Sequence, residues 1–541
     1  MPNNERTPLL ASDDNSITSK NSAAAGENNN KDPEALADGP RIPGLKLSVI
    51  IPAMAIGVFL AAMDNTIVMS AYGSIGTEMK ELNRTSWIAT AYLLTTTSFQ
   101  PLYGKLSDIF GRKSALLFSY TVFGIGCLGC GLARSMNELI AARAFAGIGG
   151  GGMTAVVSIL LSDIVSLRSR GTFQGLINIV FASGAAIGAP LGGILADSIG
   201  WRWAFLAQVP ATLIAITVVS LALHLPAAST KTTLRNQFKR VDFLGAAALV
   251  CAVFSLLIGL DRGGNIAFND PIVIGSLCFS LVAFPFFMYV ECYIAAEPFA
   301  PAHIVKETTI FSSSMANFFS FAGYMAVLFY IPLYYQAVTS LSAGESGLRI
   351  VPAIVGGVLG SLFGGVMMQK TGKYKRLTVY AYSIFTLGSI PVVMFTGVAG
   401  SSAFLISIGL VAMGFGNGIG VTSTLIAMIA AAGSEEQAVA TAVGYLFRAL
   451  GMVTGVSVSS MLVQGSLRRE LNRTLNGTDA EEIVRKVRQS LKFINELPSG
   501  TREIVVTSYQ NAVHTALILG IFFGFCAVIS SLFIKEKSLG R

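Results

Sequence analysis

The chain has 541 residues, 52% of them hydrophobic and only 13% charged, with a mean hydropathy of +0.63. A water-soluble domain carries about 25% charged residues, so the composition excludes a protein bathed in water on all sides and predicts an all-α integral membrane protein. The net charge of +8 does not signal nucleic acid, because the basic residues sit in short loops between apolar runs, where membrane topology places them.

Residues 1–47 are rich in Asn, Ser, Asp, Glu and Ala and almost free of aromatics, which predicts a disordered tail. Within it, Glu5-Arg6-Thr7-Pro8-Leu9-Leu10 fits the acidic dileucine pattern read by endosomal and vacuolar sorting adaptors, with Glu5, Leu9 and Leu10 as its determinants. A membrane helix needs about 20 apolar residues. Fourteen stretches qualify: 48–71, 86–104, 114–133, 138–161, 172–196, 203–225, 242–260, 271–291, 310–337, 348–368, 377–397, 403–431, 437–463 and 511–534. The first follows a long polar tail and reads as a signal anchor, not a cleaved signal peptide. The polar stretch Asp261 to Asp270 separates the seventh and eighth, and 464–510 is a long loop in which Glu481 to Leu497 has helical spacing.

Loop charge orients the bundle. An even helix count puts both termini on one side, and that side's tails and short loops hold 22 Lys and Arg against 6 opposite. Positive residues collect in the cytosol, so both ends are expected there. The three glycosylation acceptors, Asn83, Asn472 and Asn476, fall on the other side, the only one where such sites are used. Asn472 and Asn476 have the room of the long loop, whereas Asn83 stands close to the membrane.

The six cysteines lie in or beside apolar segments; Cys127 and Cys130 place two small residues on one helix face and read as packing, not metal or redox chemistry. No metal-ligand cluster or nucleophile-base group is expected, so the chain is read as no enzyme. His224, His303 and His514 sit near helix ends. Without a nucleotide-binding P-loop the expected energy source is a proton gradient, with no cofactor.

Between the second and third stretches runs Gly104-Lys105-Leu106-Ser107-Asp108-Ile109-Phe110-Gly111-Arg112-Lys113. It resembles the loop signature of the major facilitator superfamily, which latches the cytosolic face; Gly104 and Gly111 would permit a tight turn, and Asp108, Arg112 and Lys113 would supply the latch. Arg143, in Leu139-Ile140-Ala141-Ala142-Arg143-Ala144-Phe145-Ala146-Gly147, is similar to the family's intramembrane arginine motif. Gly184, Gly188, Ala189, Pro190, Gly192 and Gly193 resemble its antiporter motif, and Asp64-Asn65-Thr66-Ile67-Val68 resembles the signature of its fourteen-helix drug:proton antiporter branch. Trp87-Ile88-Ala89-Thr90, Phe99-Gln100-Pro101-Leu102-Tyr103-Gly104, and Gly149 to Gly152 followed by Ser162-Asp163-Ile164-Val165 resemble the fungal vacuolar basic amino acid transporters, most densely over 60–210.

The resemblance implies a six-helix bundle at 48–225, a linker with two added helices at 226–300, a second six-helix bundle at 301–534 that includes loop 464–510, and a cytosolic tail at 535–541. It also implies a vacuolar proton-coupled antiporter of basic amino acids. A plasma-membrane drug exporter and a non-transporting nutrient sensor on the same fold are the alternatives. Expected partners are lipid, an amino acid or drug, protons and a sorting adaptor. Aligning Gly372 with Gly111 puts Gly365 on Gly104 and Lys373 on Arg112, but Gln369 on Asp108, so the second half keeps the turn without its carboxylate.

Charges at membrane depth are the strongest functional candidates, since each costs at least about 2.5 kcal/mol unless paired or hydrated. At 1.5 Å per residue, Asp64 lies about 24 Å from the cytosolic edge, and Arg143 about 22 Å in a 30 Å core. The two are level within one turn and pair if the first and fourth helices adjoin, as the family fold implies. Such a pair suits proton coupling, its alternative being a static bond between helices. Arg448, about 17 Å into the thirteenth helix, is either structural or substrate-facing. Asp163, Arg168 and Arg170 read as a gating or packing network, and Asn178, Gln208, Asn317, Gln336 and Asn417 as polar groups able to line a cavity.

Overall fold

A computed structural model describes residues 47–164, 167–223, 243–294, 302–397, 400–433, 436–475 and 480–537. Among them strand pairing is confined to one isolated bridge, Thr396 with Ser401. Among the described residues fourteen helices of 15 residues or more follow in order. They are α1 (Leu47–Met79), α2 (Ser86–Phe110), α3 (Arg112–Leu132), α4 (Met136–Ile164), α5 (Leu167–Ser198), α6 (Gln208–Ala222), α7 (Phe243–Asn265), α8 (Pro271–Tyr289), α9 (Thr308–Ala337), α10 (Val351–Thr371), α11 (Lys375–Met394), α12 (Ala403–Ala432), α13 (Gln437–Thr474) and α14 (Ser499–Leu532). Two of these starts are marked by side-chain caps: Asp270 accepts from Ile272 N at 2.8 Å with Pro271 next in line, and Glu307 accepts from Ile310 N at 2.8 Å.

Thirteen stretches of the described residues are long and apolar enough to cross a membrane. Helix α2 carries the polar run Thr95-Thr96-Thr97-Ser98. Its hydroxyls are satisfied locally: Thr95 donates to Ala91 O, Thr97 to Leu93 O and Ser98 to Leu94 O, at 3.1, 2.7 and 2.8 Å. Thr96 donates to Gly147 O of α4 at 3.0 Å. With 25 residues, or about 37 Å of rise, α2 is long enough to span the bundle, with Thr97 and Ser98 buried inside it.

Two expectations change. Helix α7 continues to Asn265, so half of the polar stretch after residue 260 is helical. The described part of 464–510 is mostly helical: α13 runs on to Thr474 and α14 begins at Ser499, where a loop was expected, while the helices Ala480–Gln489 and Lys492–Glu496 stand where Glu481 to Leu497 showed helical spacing. The hydropathy of the membrane portion hid these extensions, because amphipathic turns outside the hydrocarbon need no apolar run.

The helices pair in a repeated order. In the first half α1 packs on α5, α2 on α4, and α3 on α4 and α6. In the second, α9 packs on α13, α10 on α12, and α11 on α12 and α14. Helix α7 wedges between α2 and α13, with α8 on its outer side. The outer surface is apolar, with Phe118, Ile125, Leu281, Phe404 and Phe525 all exposed, as a lipid-facing surface requires.

Both described ends lie at one face, the terminal face; residues 480–496 lie at the other, the loop face. The described hydrogen bonds between the halves gather at the loop face. Gln336 Nε2 donates to Ser70 O at 3.1 Å, Ser460 Oγ to Ser86 Oγ at 2.9 Å, and Leu491 N to Thr77 Oγ1 at 3.0 Å. Asp197 accepts from Ala343 N and Gly344 N at 3.2 and 2.7 Å, opening the short helix Ala343–Leu348. The Tyr72 and Phe329 rings stack at 4.7 Å beneath them. The bundle is therefore sealed at this end.

Candidate functional site

Below that seal, α1 and α4 adjoin and bring Asp64 to Arg143. Arg143 Nη1 donates to both carboxylate oxygens, at 2.9 and 2.7 Å, and the side chains are 1% and 0% exposed. Gln208 Nε2, at the first residue of α6, donates to Asp64 Oδ1 at 3.1 Å. Arg143 Nε donates to Ile88 O of α2 at 3.1 Å, and the guanidinium carbon lies 4.3 Å from the Tyr92 ring centre and 5.5 Å from that of Phe205. Five segments thus converge on one neutralised pair. A desolvated pair survives only with its remaining hydrogen bonds met, and these are the groups that meet them. Gln208 Oε1 is left without a partner.

Levelness along the sequence identified the two charges. Ile88, Tyr92 and Phe205 were not identifiable that way: a backbone carbonyl and two rings carry no sequence signal for a guanidinium. Cys127 and Cys130 are buried in this core as free thiols.

The α5 motif brings backbones together. A side chain on Gly184 would strike the carbonyl of Phe59, on Gly188 that of Met63, and on Gly192 that of Ile67, all in α1. Gly193 meets Ala343 of the second half. Pro190 lies inside the same helix, and the neighbouring Ala189 carbonyl accepts from Ser70 Oγ of α1. The α1–α5 seam that carries Asp64 is therefore in backbone contact along its length.

At the terminal face, Gly111 has φ 86° and makes the turn between α2 and α3, a conformation open to glycine. Gly104 does not share in it. It lies within α2, and a side chain there would find its nearest neighbour at 3.9 Å, so neither turn nor close approach requires it. Arg112 Nη1 donates to Ser107 Oγ at 2.5 Å, and Lys113 Nζ to Ser220 O of α6 at 2.7 Å. Gly372, with φ 66°, ends α10 as the counterpart of Gly111, and Gln369 before it is exposed.

The side chains of Asp108, Asp163, Arg168, Arg170 and Asn178 lie outside the described residues, as do Glu5, Leu9, Leu10, His224 and Asn476. Asn83 Nδ2 is turned to Asn265 Oδ1 at 3.5 Å, while Asn472 is exposed on the extension of α13. His303 contacts Glu436 at 2.8 Å. In the second half Arg448 stands on α13, away from the Asp64 pair, with Phe321 and Tyr445 beside it. Asn317 Oδ1 accepts from Thr424 at 3.2 Å, and Asn417 is buried on α12.

A family model described as Major Facilitator Superfamily matches residues 54–456. The chain belongs to this superfamily. It is 40% identical to the vacuolar membrane amino acid uptake transporter fnx2 of Schizosaccharomyces pombe, over 99% of this chain and 97% of that one. It is 39% identical to the multidrug resistance protein fnx1 of the same organism, over 90% and 92%. Vacuolar basic amino acid transporter 1 of Saccharomyces cerevisiae is 31% identical over 91% and 93%. Among solved structures, a bacterial homologue of the human lysosomal transporter Spinster, inward-facing and unoccupied, aligns with a TM-score of 0.58 over 90% of this chain and 97% of that one, at 17% identity; that likeness concerns the fold alone. As a major facilitator the chain is a multi-pass membrane transporter of a small molecule.

Proposed function

We propose that this major facilitator is a proton-coupled antiporter that moves amino acids, the basic ones above all, from the cytosol into the vacuole. The observation that carries the reading is the fully buried Asp64–Arg143 pair with Gln208 on its carboxylate. Removing the charge of one partner in a buried pair costs about 3–5 kcal/mol. Driving a two-state equilibrium from 1:99 to 99:1 takes about 5.5 kcal/mol. A proton on Asp64 biases alternating access by the difference of its binding between the two conformations, and the breaking of a buried pair is of the same order as the bias needed. In this cycle Asp64 takes its proton from the acidic lumen as substrate leaves and surrenders it to the cytosol as the next substrate binds.

Identity to a vacuolar amino acid transporter along nearly the whole chain supports the substrate and the membrane. The asymmetry of Lys and Arg among the loops supports cytosolic termini, which puts the loop face in the lumen, Asn472 within reach of glycosylation, and Glu5, Leu9 and Leu10 within reach of an adaptor. Asp163, Arg168 and Arg170 would then join Arg112 and Lys113 in gating the cytosolic side.

Near-equal identity to a multidrug resistance protein favours a second reading, drug export from the cell with the same proton step. The test is uptake of labelled lysine and arginine into isolated vacuoles, with and without this protein, a proton uncoupler and Asp64→Asn. Protein-dependent uptake that the uncoupler and Asp64→Asn both abolish supports the antiporter. Absence of such uptake, with the protein at the cell surface and drug sensitivity raised on its deletion, supports the exporter.

A further inference from the structure

Arg448 is the second arginine at membrane depth, and its surroundings are opposite to those of Arg143. Among the described residues no Asp or Glu pairs with it, and its Nε has no hydrogen-bond partner. What surrounds it is aromatic: the guanidinium carbon lies 5.0 Å from the ring centres of both Phe321 on α9 and Tyr445 one turn earlier on α13. All three side chains remain partly exposed, although they project inside the bundle, whereas Arg143 is sealed. Arg448 therefore keeps part of its side chain exposed within the second half, while its Nε is buried.

Its position is held firmly. Three residues on, Gly451 lies against the Phe318 carbonyl of α9, so the two helices touch at the backbone and Arg448 is directed past Phe321. Two more polar atoms of the same half lack partners, Asn317 Nδ2 and Asn417 Oδ1, and Asn317 is held by Tyr382 and Thr424 through its oxygen, which leaves the amide nitrogen free. A cation at this depth without a counter-charge is costly unless an anion or water completes it. An arginine fork matches a carboxylate in two parallel hydrogen bonds, and the flanking rings offer an apolar wall for the rest of a small molecule.

We propose that Arg448 is the subsite for the substrate's carboxylate, so that the free second half recognises the anionic end of the ligand while the first half handles the proton. The inference rests on the amino acid reading and gives it a selectivity rule: an α-carboxylate is required, and a diamine of equal length is rejected.

The test uses the full-length protein in detergent with L-lysine, L-lysinamide and cadaverine, the last two lacking the carboxylate. L-Lysine binds the wild type more tightly than either by roughly 10- to 100-fold, the worth of a hydrogen-bonded charge pair. Arg448→Gln erases that difference and Arg448→Lys restores part of it. In parallel, the arginine reagent phenylglyoxal modifies Arg448, read by peptide mass spectrometry, and L-lysine protects it where cadaverine does not. Equal binding of all three ligands by the wild type, unchanged lysine binding in Arg448→Gln, or an Arg448 inert to phenylglyoxal in the free protein each overturns the proposal. If the wild type binds none of the three, the amino acid reading falls. The carboxylate subsite is then decided by concentrated acetate, whose protection of Arg448 upholds it and whose failure to protect removes it.

Discussion

Gly184 and Gly188 of α5 rest on the carbonyls of Phe59 and Met63 in α1, and Gly451 and Gly455 of α13 rest on those of Phe318 and Ala322 in α9. Gly147 and Gly151 of α4 meet Tyr92 and Thr96 of α2 as Gly414 and Gly418 of α12 meet Ala353 and Gly357 of α10. The two halves share one backbone frame, as parallel repeats in this class of fold do. Charge does not follow it. Asp64 stands five residues after Phe59, where the second half has Gly323 after Phe318. Arg143 precedes Gly147 by four residues, where Leu410 precedes Gly414; Arg448 precedes Gly451 by three, where Phe181 precedes Gly184. Small residues that set helix distance are kept twice, while each polar group appears once. A duplicated frame with an unduplicated charge set lets one half carry a neutralised pair and the other an open cation.

The comparison breaks most visibly at the pair. Asp64→Leu strands Arg143 and is expected to cost about 3–5 kcal/mol, seen as a lower Tm of the purified protein. Asp64→Leu with Arg143→Met recovers most of that loss without recovering transport. Leucine at Gly323 in the second half leaves no charge behind, so its effect is confined to packing. Next come Gly188→Val and Gly455→Val, one in each half, each expected to cost about 1–3 kcal/mol through overpacking; similar Tm losses show that the frames are equivalent, and a large difference separates them. Asp197→Ala removes the two hydrogen bonds, worth about 1 kcal/mol, that tie α5 to the opening N–H groups of the helix Ala343–Leu348, whose own cap is Ser342. It should lower disulfide cross-linking between cysteines placed at Thr77 and Leu491 by loosening the loop-face seal. The smallest effect is that of Lys113→Met, which loses one bond to the Ser220 carbonyl, about 0.5–1.5 kcal/mol, read as a slight drop in Tm.

Much of the architecture was legible in one dimension. Apolar length located all fourteen long helices, and the turn glycines Gly111 and Gly372 revealed the repeat, because both properties belong to short stretches of chain. Helix α2 was legible as an apolar run, but its place inside the bundle was not, since the partners of its hydroxyls are set by the fold. Within 464–510 the helical spacing of Glu481 to Leu497 was legible and helices stand there, whereas the continuation of α13 to Thr474 and the start of α14 at Ser499 were not, because polar turns outside the hydrocarbon resemble a loop to a hydropathy count.

The candidate site divides in the same way. That Asp64 and Arg143 lie at one depth follows from residue counting along rigid helices, and the sequence by itself determined it. That they face each other, with Gln208, the Ile88 carbonyl and the Tyr92 ring completing the shell, depends on which helices adjoin and on how each is rotated about its axis. The same reason left Arg448 undecided in the sequence. Depth marked it as costly, but only tertiary packing decided that aromatic rings, and among the described residues no carboxylate, would stand beside it.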